Sequence, residues 1–329
     1  MTARNQPWIP PAQTVPEAID WWASATPDAP ALLGVDGDVI SFGQLQMRID
    51  EFARQLAAVG IGRHDRVVLA LPDGVGAAVA GLATLRAAIG VPVNPAQSLA
   101  EATPLLAAVA PRAIVVGPGG ETPFREAATR AGIPVITLDA AGMLQVELDD
   151  AVGQIEPLSP PSADELAMIL LTSGTTDVPR RVPTLHGNVL ATCSARVRAR
   201  RLSPRDRGLS PAPAYFVLGL ARVIESLISG GSAIVTGAGD IVRRPQAVRD
   251  LAPTWAWTPP ALLETILDAA RDNPVFSEWP LRFVRSGGAR VTPGLIARGQ
   301  ALWGVPVLNG YGTTETLGYI SAEESPELI

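Results

Sequence analysis

Residues 172–188 read TSGTTDVPRRVPTLHGN, and the first five, Thr172, Ser173, Gly174, Thr175 and Thr176, have the makings of an anion site. In a tight loop, successive backbone N–H groups converge on an anion. The hydroxyls add donors, and glycine lets the backbone come close. Phosphate is the expected guest, although a cluster of Ser, Thr and Gly also makes an ordinary turn. The charged residues that follow change the chemistry. Asp177 brings negative charge towards a negative guest, a repulsion on the order of 4 kcal/mol at ~4 Å and an effective dielectric of about 20. Arg180 and Arg181 oppose it and leave the loop with one net positive charge, so Asp177 has either arginine as a partner or a Mg²⁺ ion to hold. Other chemistries are closed. One cysteine, Cys193, allows no internal disulfide, and His64 with His186 makes no zinc cluster. Every positive side chain is an arginine, so a step that needs a lysine falls to another chain.

Such a loop must be delivered by a strand, and AMILL (167–171) leads into it. Further apolar runs at helix-length intervals predict strands at 66–71, 113–116, 134–137, 232–235, 254–257, 282–285 and 306–308. Ala- and Leu-rich helical patterns separate them, which argues for largely parallel sheets covered by helices on both faces. Thr14 with Glu17, and Ser41 with Gln44, have capping-box spacing. The first precedes a face of Val15, Ala18, Ile19 and Trp22; the second precedes Leu45, Ile49, Phe52 and Leu56, with Gly60 as the stop. The segments 156–165 and 201–214 read as turn-rich connectors, and the arginines at 196, 198, 200, 201, 205 and 207 read as a solvated helix end and loop.

A chain of 329 residues, 47% hydrophobic, suits one large α/β unit or two smaller ones with an ample core. The net charge of −6 gives no general reason to bind nucleic acid or a membrane surface. The longest apolar candidate, Val75 to Val93, is interrupted by Arg86, and the opening MTARNQPWIPP has no signal-like apolar core. A cytoplasmic enzyme is therefore expected.

Pro179, Val182, His186 and Asn188 extend the loop into a pattern that resembles the signature of the adenylate-forming superfamily, which includes acyl-CoA synthetases, nonribosomal adenylation domains and luciferases. That signature runs Thr-Ser-Gly-Thr-Thr-Gly, any residue, Pro-Lys-Gly-Val, and is closed later by His and Asn. The resemblance covers nearly the whole chain. TPDAPAL (26–32), ISFGQL (40–45) and GIGRHDRVVLALPDG (60–74) look like the family's opening region. PAYFVLGLA (213–221) is similar to its acyl-pocket segment, SGGARVTP (286–293) to the glycine turn beside adenine, and NGYGTTET (309–316) to the motif ending in Thr-Glu.

The resemblance implies an α/β fold of two packed subdomains. One covers 64–200 and the other joins 12–63 to 206–329, with the ligand in the cleft between them. It implies that Asn309 and Tyr311 meet the adenine, with Tyr311 stacked on the base. Gly288 and Ala289 would line the nucleotide, Thr314 would reach the α-phosphate, and Glu315 would hold Mg²⁺. Phe216, Gly219, Gly287 and Gly310 would form the acyl pocket. The resemblance implies that an aspartate in the segment matching 213–221 would hold the ammonium of an amino-acid substrate; PAYFVLGL has no acid, so an α-amino acid is a poor substrate and an apolar acyl or aryl group a better one. Three positions depart from the signature: Asp177 and Arg181 replace glycines, and Arg180 replaces the lysine. A planar guanidinium is a poor substitute for a compact ammonium in a tight loop. The family also continues beyond the Tyr-Gly motif into a small C-terminal domain carrying the adenylation lysine; that domain is absent here, so this polypeptide alone is expected to bind ligand and turn over poorly. The grip on AMP thus survives while the grip on the outer phosphates is altered. The expected function is transfer of an acyl group from a ready-made acyl-adenylate to coenzyme A or a carrier protein, with a separate enzyme supplying the adenylate. The alternatives are an ordinary ATP-dependent acyl-CoA ligase and a non-catalytic scaffold that binds ligand or carrier.

Overall fold

Two capped helices begin the fold. Thr14 accepts from the Glu17 N–H ahead of α1 (Val15–Ala25). After the antiparallel pair β1 (Pro30–Gly34) and β2 (Val39–Ser41), Ser41 and Gln44 exchange bonds of 3.0 and 3.3 Å to start α2 (Phe42–Ala58). Both expected apolar faces are buried. The computed structural model of the chain describes residues 9–119, 121–139, 143–145, 159–172, 180–318 and 320–322.

From β3 (Arg66–Ala70) the chain alternates through α3 (Val75–Ala87), β4 (Ile89–Pro92), α4 (Leu99–Val109), β5 (Ala113–Val116), α5 (Pro123–Arg130), β6 (Val135–Leu138) and β7 (Leu144–Gln145). It closes this half with β8 (Leu166–Leu171), β9 (Arg181–Leu185) and α6 (His186–Ala199). Among the described residues these strands form one sheet in the order β7-β6-β5-β3-β4-β8-β9. Its interior pairs are parallel, and the β6–β7 and β8–β9 pairs at its two edges are antiparallel.

The second half runs β10 (Arg207–Ser210), α7 (Val217–Ile228), β11 (Ser232–Val235), α8 (Ala238–Arg243), α9 (Pro245–Asp250), β12 (Trp255–Thr258), α10 (Pro260–Ala269), β13 (Phe283–Gly287), α11 (Pro293–Trp303), β14 (Val307–Tyr311) and β15 (Ser321–Ala322). Its sheet has the order β15-β14-β13-β12-β10-β11-β1-β2, again parallel inside with antiparallel end pairs. The fold is therefore the expected one, two largely parallel sheets covered by helices. The largest apolar cluster joins them, with Leu32 and Ala233 from one sheet, Val67 and Val115 from the other, and Ile19, Phe52, Val79, Val197 and Ile224 from helices between.

Two sequence expectations need correction. The segment 201–214 is not only a connector, because β10 lies inside it and pairs in parallel with both β11 and β12. Its neighbours supply the hydrogen bonds that its short, Gly-containing sequence does not advertise. Nor is the arginine series wholly solvated. Arg198, Arg201 and Arg205 are exposed, but Arg196 on α6 and Arg200 at its C-terminal cap face α7 and are buried. No helix among the described residues is long and apolar enough to cross a membrane. Arg86, which interrupts the apolar run on α3, is buried against Asp20 of α1 and Asp50 of α2.

Candidate functional site

At the C-terminal ends of β12, β13 and β14 lies a cavity of about 600 Å³. Open parallel sheets commonly bind ligands at this edge, where loops leave the strands. Strand register decides what the wall is made of. Gly287 of β13 pairs with Gly310 of β14. A Cβ on Gly287 would lie 2.4 Å from the Gly310 carbonyl oxygen, and one on Gly310 would lie 2.2 Å from Nη2 of Arg285. Any larger residue would therefore displace the strands or the guanidinium. Gly288 turns out of the strand at φ +83°, which side-chain-bearing residues rarely adopt. The result is a wall of bare backbone at Gly287, Gly288 and Ala289.

Of the residues singled out in the sequence, Thr172, Arg180, Phe216, Gly287, Gly288, Ala289, Gly310, Thr314 and Glu315 line this one cavity. Gly219 lies off the wall, in the first turn of α7, where a Cβ would come within 2.0 Å of the Pro213 carbonyl oxygen. Asn309 and Tyr311 sit on β14 beside the cavity and not in its lining; Tyr311 is 62% exposed, so its ring is not a core side chain. Phe216, at the N-terminal cap of α7, is half exposed.

The opposite wall comes from the β8–β9 pair. Thr172 N–H donates to the Arg180 carbonyl at 3.0 Å, the rung at which the loop departs. Ser173, Gly174, Thr175, Thr176 and Asp177 lie outside the described residues. The two arginines that follow diverge, as successive residues of an extended segment must. Arg180 lines the cavity, whereas Arg181 donates to the Ala108 carbonyl of α4 at 2.6 Å. The Thr172 hydroxyl is buried without a hydrogen-bond partner among the described residues. Just after β9, His186 opens α6. Burial pulls its imidazole down to about 4, with Glu165 opposing and Arg63 adding to the effect, so it is neutral at ordinary pH.

Glu315 stands in a short turn, Thr314–Thr316, and is exposed to solvent. Its own backbone N–H, the Thr313 hydroxyl and the charge of Arg180 hold its carboxyl below the usual range. An ionised oxygen ligand here suits Mg²⁺, which keeps several waters and completes its shell on substrate phosphate. Among the described residues no group of three or more metal-ligating side chains is gathered, and Glu315 is the carboxylate that they bring to the cavity wall.

Sequence reasoning missed three large wall residues: Arg222, Trp257 and Arg285. For Arg222 a signal existed. It lies four residues after Leu218 on a strongly apolar helix, with Glu225 one turn further on. The Glu225 carboxylate is fully buried and takes Arg196 on one oxygen at 2.9 Å and both Arg200 and Arg222 on the other at 2.7 Å. Burial opposes ionisation of Glu225, yet the three guanidinium groups hold it below the usual carboxylate range. Arg196 also donates to the Leu317 carbonyl, tying this cluster to the turn that carries Glu315.

A family described as "AMP-binding enzyme" matches residues 19–328. The sulfoacetate–CoA ligase of Cupriavidus necator is 31% identical over 96% of this chain and 62% of its own length. The oxalate–CoA ligase of Arabidopsis thaliana is 28% identical over 93% of the chain and 61% of its own. The chain thus spans about three fifths of these relatives. Among solved structures, a long-chain-fatty-acid–CoA ligase from Archaeoglobus fulgidus superposes on all of the chain and 69% of itself with a TM-score of 0.83; at 17% identity this likeness concerns the fold alone.

Proposed function

We propose, from the premise that this chain belongs to the AMP-binding enzyme family, that it holds an acyl-adenylate in the cavity at the strand ends. As part of the whole protein it passes the acyl group to coenzyme A, with adenylation from ATP weakened or lost. One observation carries the reading. Four of the residues assigned to the nucleotide and its metal, Gly288, Ala289, Thr314 and Glu315, share a single cavity with three of those assigned to the acyl group, Phe216, Gly287 and Gly310, and Asn309 and Tyr311 lie on the strand beside it. The departures from the family signature, by contrast, fall on the loop that would cradle the outer phosphates. An acyl-adenylate has no such phosphates.

In the transfer step the thiolate of coenzyme A attacks the carbonyl carbon of the mixed anhydride. A C–S bond forms, the C–O bond to AMP breaks, and AMP leaves with the electron pair. No proton need move on the protein at the reacting carbon, so its contribution is position and charge. The glycine wall admits the anhydride close to backbone, and Arg180 supplies positive charge on the phosphate side. The partners are then a carboxylic acid delivered as its adenylate, a separate adenylating enzyme, and coenzyme A or a carrier protein.

An ordinary ATP-dependent acyl-CoA ligase is the second reading. It is favoured by Arg180, which stands in the cavity wall at the place of the signature lysine. Supplying the whole protein with a synthetic acyl-adenylate and coenzyme A, and separately with ATP and acid, divides the two. The first reading expects AMP release from the adenylate and little ATP–pyrophosphate exchange. Robust exchange establishes the second. Asp177→Gly with Arg180→Lys should raise exchange at least tenfold if the loop is the lesion. Binding of adenylate without turnover would leave a scaffold.

A further inference from the structure

Arg222 is the one charged member of an otherwise apolar stretch of α7, 1% exposed, and it faces the cavity beside Leu218 and Trp257. Its guanidinium carbon lies 6.0 Å from the centre of the Trp257 ring. Burying a guanidinium is costly unless the charge is met. The carboxylate that meets it is shared: the Glu225 oxygen that accepts from Arg222 accepts from Arg200 as well, and the second oxygen is taken by Arg196. The Nε of Arg222 is buried and has no hydrogen-bond partner among the described residues. Desolvation is strong enough to pull this guanidinium down to about 9.

Arg196 and Arg200 explain how α6 is bound to α7, because both reach Glu225 from the neighbouring helix. Arg222 adds little to that junction, since it lies on the same helix as Glu225. What distinguishes it is the direction it faces. A fork of donors, with an N–H to spare, on the wall of a largely apolar cavity is suited to a planar or tetrahedral oxyanion.

We propose that the acyl half of the cavity takes a carboxylic acid bearing a second anionic group, a carboxylate or a sulfonate, and that Arg222 receives that distal group. Phe216 and Leu218 then border the short carbon link between the two acidic ends. This rests on the reading of the cavity as an acyl-adenylate site, and it replaces the uncharged acyl or aryl substrate expected from PAYFVLGL with a dianionic one. Arg222 would set specificity without touching the reacting carbonyl.

The test uses sulfamoyl-adenosine mimics of the adenylate carrying malonyl, sulfoacetyl or butyryl groups, titrated into the protein by calorimetry. The expected result is that at least one charged mimic binds tenfold or more tighter than butyryl, and the better of the two identifies the distal group. Arg222→Met should erase that gap and leave butyryl affinity within twofold, whereas a merely structural arginine would weaken all three alike. Should the variant not fold, the wild-type series decides by itself. Butyryl binding as tightly as both charged mimics would overturn the proposal while leaving the adenylate site standing. Failure of all three to bind would overturn that site and this inference together.

Discussion

The β13–β14 end of the cavity is made of backbone, whereas the β8–β9 end is made of side chains. At the first, Gly287 meets the Gly310 carbonyl in fixed parallel register and Gly310 backs onto the Arg285 guanidinium, so neither has room for a methyl group. At the second, Thr172 and Arg180 close one antiparallel rung and present a hydroxyl and a guanidinium. A backbone wall depends on the register of the whole sheet and tolerates almost no substitution. A side-chain wall can change its charge and length while the strands beneath stay paired. Of the departures from the family signature, Arg180 stands in the wall at this second end and Arg181 beside it turns away to Ala108.

The largest effect should come from the buried cluster between α6 and α7, which is tied to the turn that carries Glu315. Glu225→Gln would leave three buried guanidinium groups facing a neutral amide, and breaking such a buried pairing costs about 3–5 kcal/mol. Denaturant unfolding reads it; a loss under 1 kcal/mol would show that the cluster is compensated by other groups. Acid should act at the hairpin end. His186 is held neutral by burial with its folded value near 4, against about 6.5 when unfolded. The unfolded chain therefore binds the extra proton first, and stability present above pH 6.5 is lost as pH falls towards 4, on the order of 3 kcal/mol. Unfolding of His186→Gln followed over the same range should show a flatter dependence; an unchanged slope would exclude this histidine.

Gly287→Ala should destabilise by about 1–3 kcal/mol, since the obstruction is a backbone carbonyl that cannot rotate away, and should also abolish binding of an adenylate mimic. Normal binding by this variant would mean that the β13–β14 wall yields more than its register suggests. The smallest effect is expected at Arg181, which turns from the cavity to Ala108. Arg181→Ala should cost about 0.5–1.5 kcal/mol and leave ligand affinity unchanged, in contrast to Arg180→Ala. Equal losses of affinity in the two variants would remove the distinction between adjacent arginines.

Much of the scaffold was legible because its signals are local. The Thr14 and Ser41 caps and the two apolar faces that follow them act over one or a few turns. Apolar runs marked β3, β5, β6, β8, β11, β12, β13 and β14 to within a few residues. The strand β10 was hidden because Arg207–Ser210 carries two non-apolar ends and a glycine, and becomes a strand only between β11 and β12. The cavity lining was legible where a motif places its residues consecutively, as at Gly287, Gly288 and Ala289 or Thr314 and Glu315.

The sequence by itself determined which residues could build the wall: small ones at 287–289 and 310, hydroxyls and charges around 172–181, and an acid at 315. Periodicity and motif order are properties of neighbouring residues, and these survive being read along a line. Only the tertiary structure decided that Gly287 meets Gly310, that Arg180 faces the cavity while Arg181 leaves it, and that Arg196 and Arg200 are buried while Arg198 is not. Each depends on which element packs opposite, and a charge is buried or solvated according to partners that stand, for Arg196, 29 residues away at Glu225 and 121 away at Leu317.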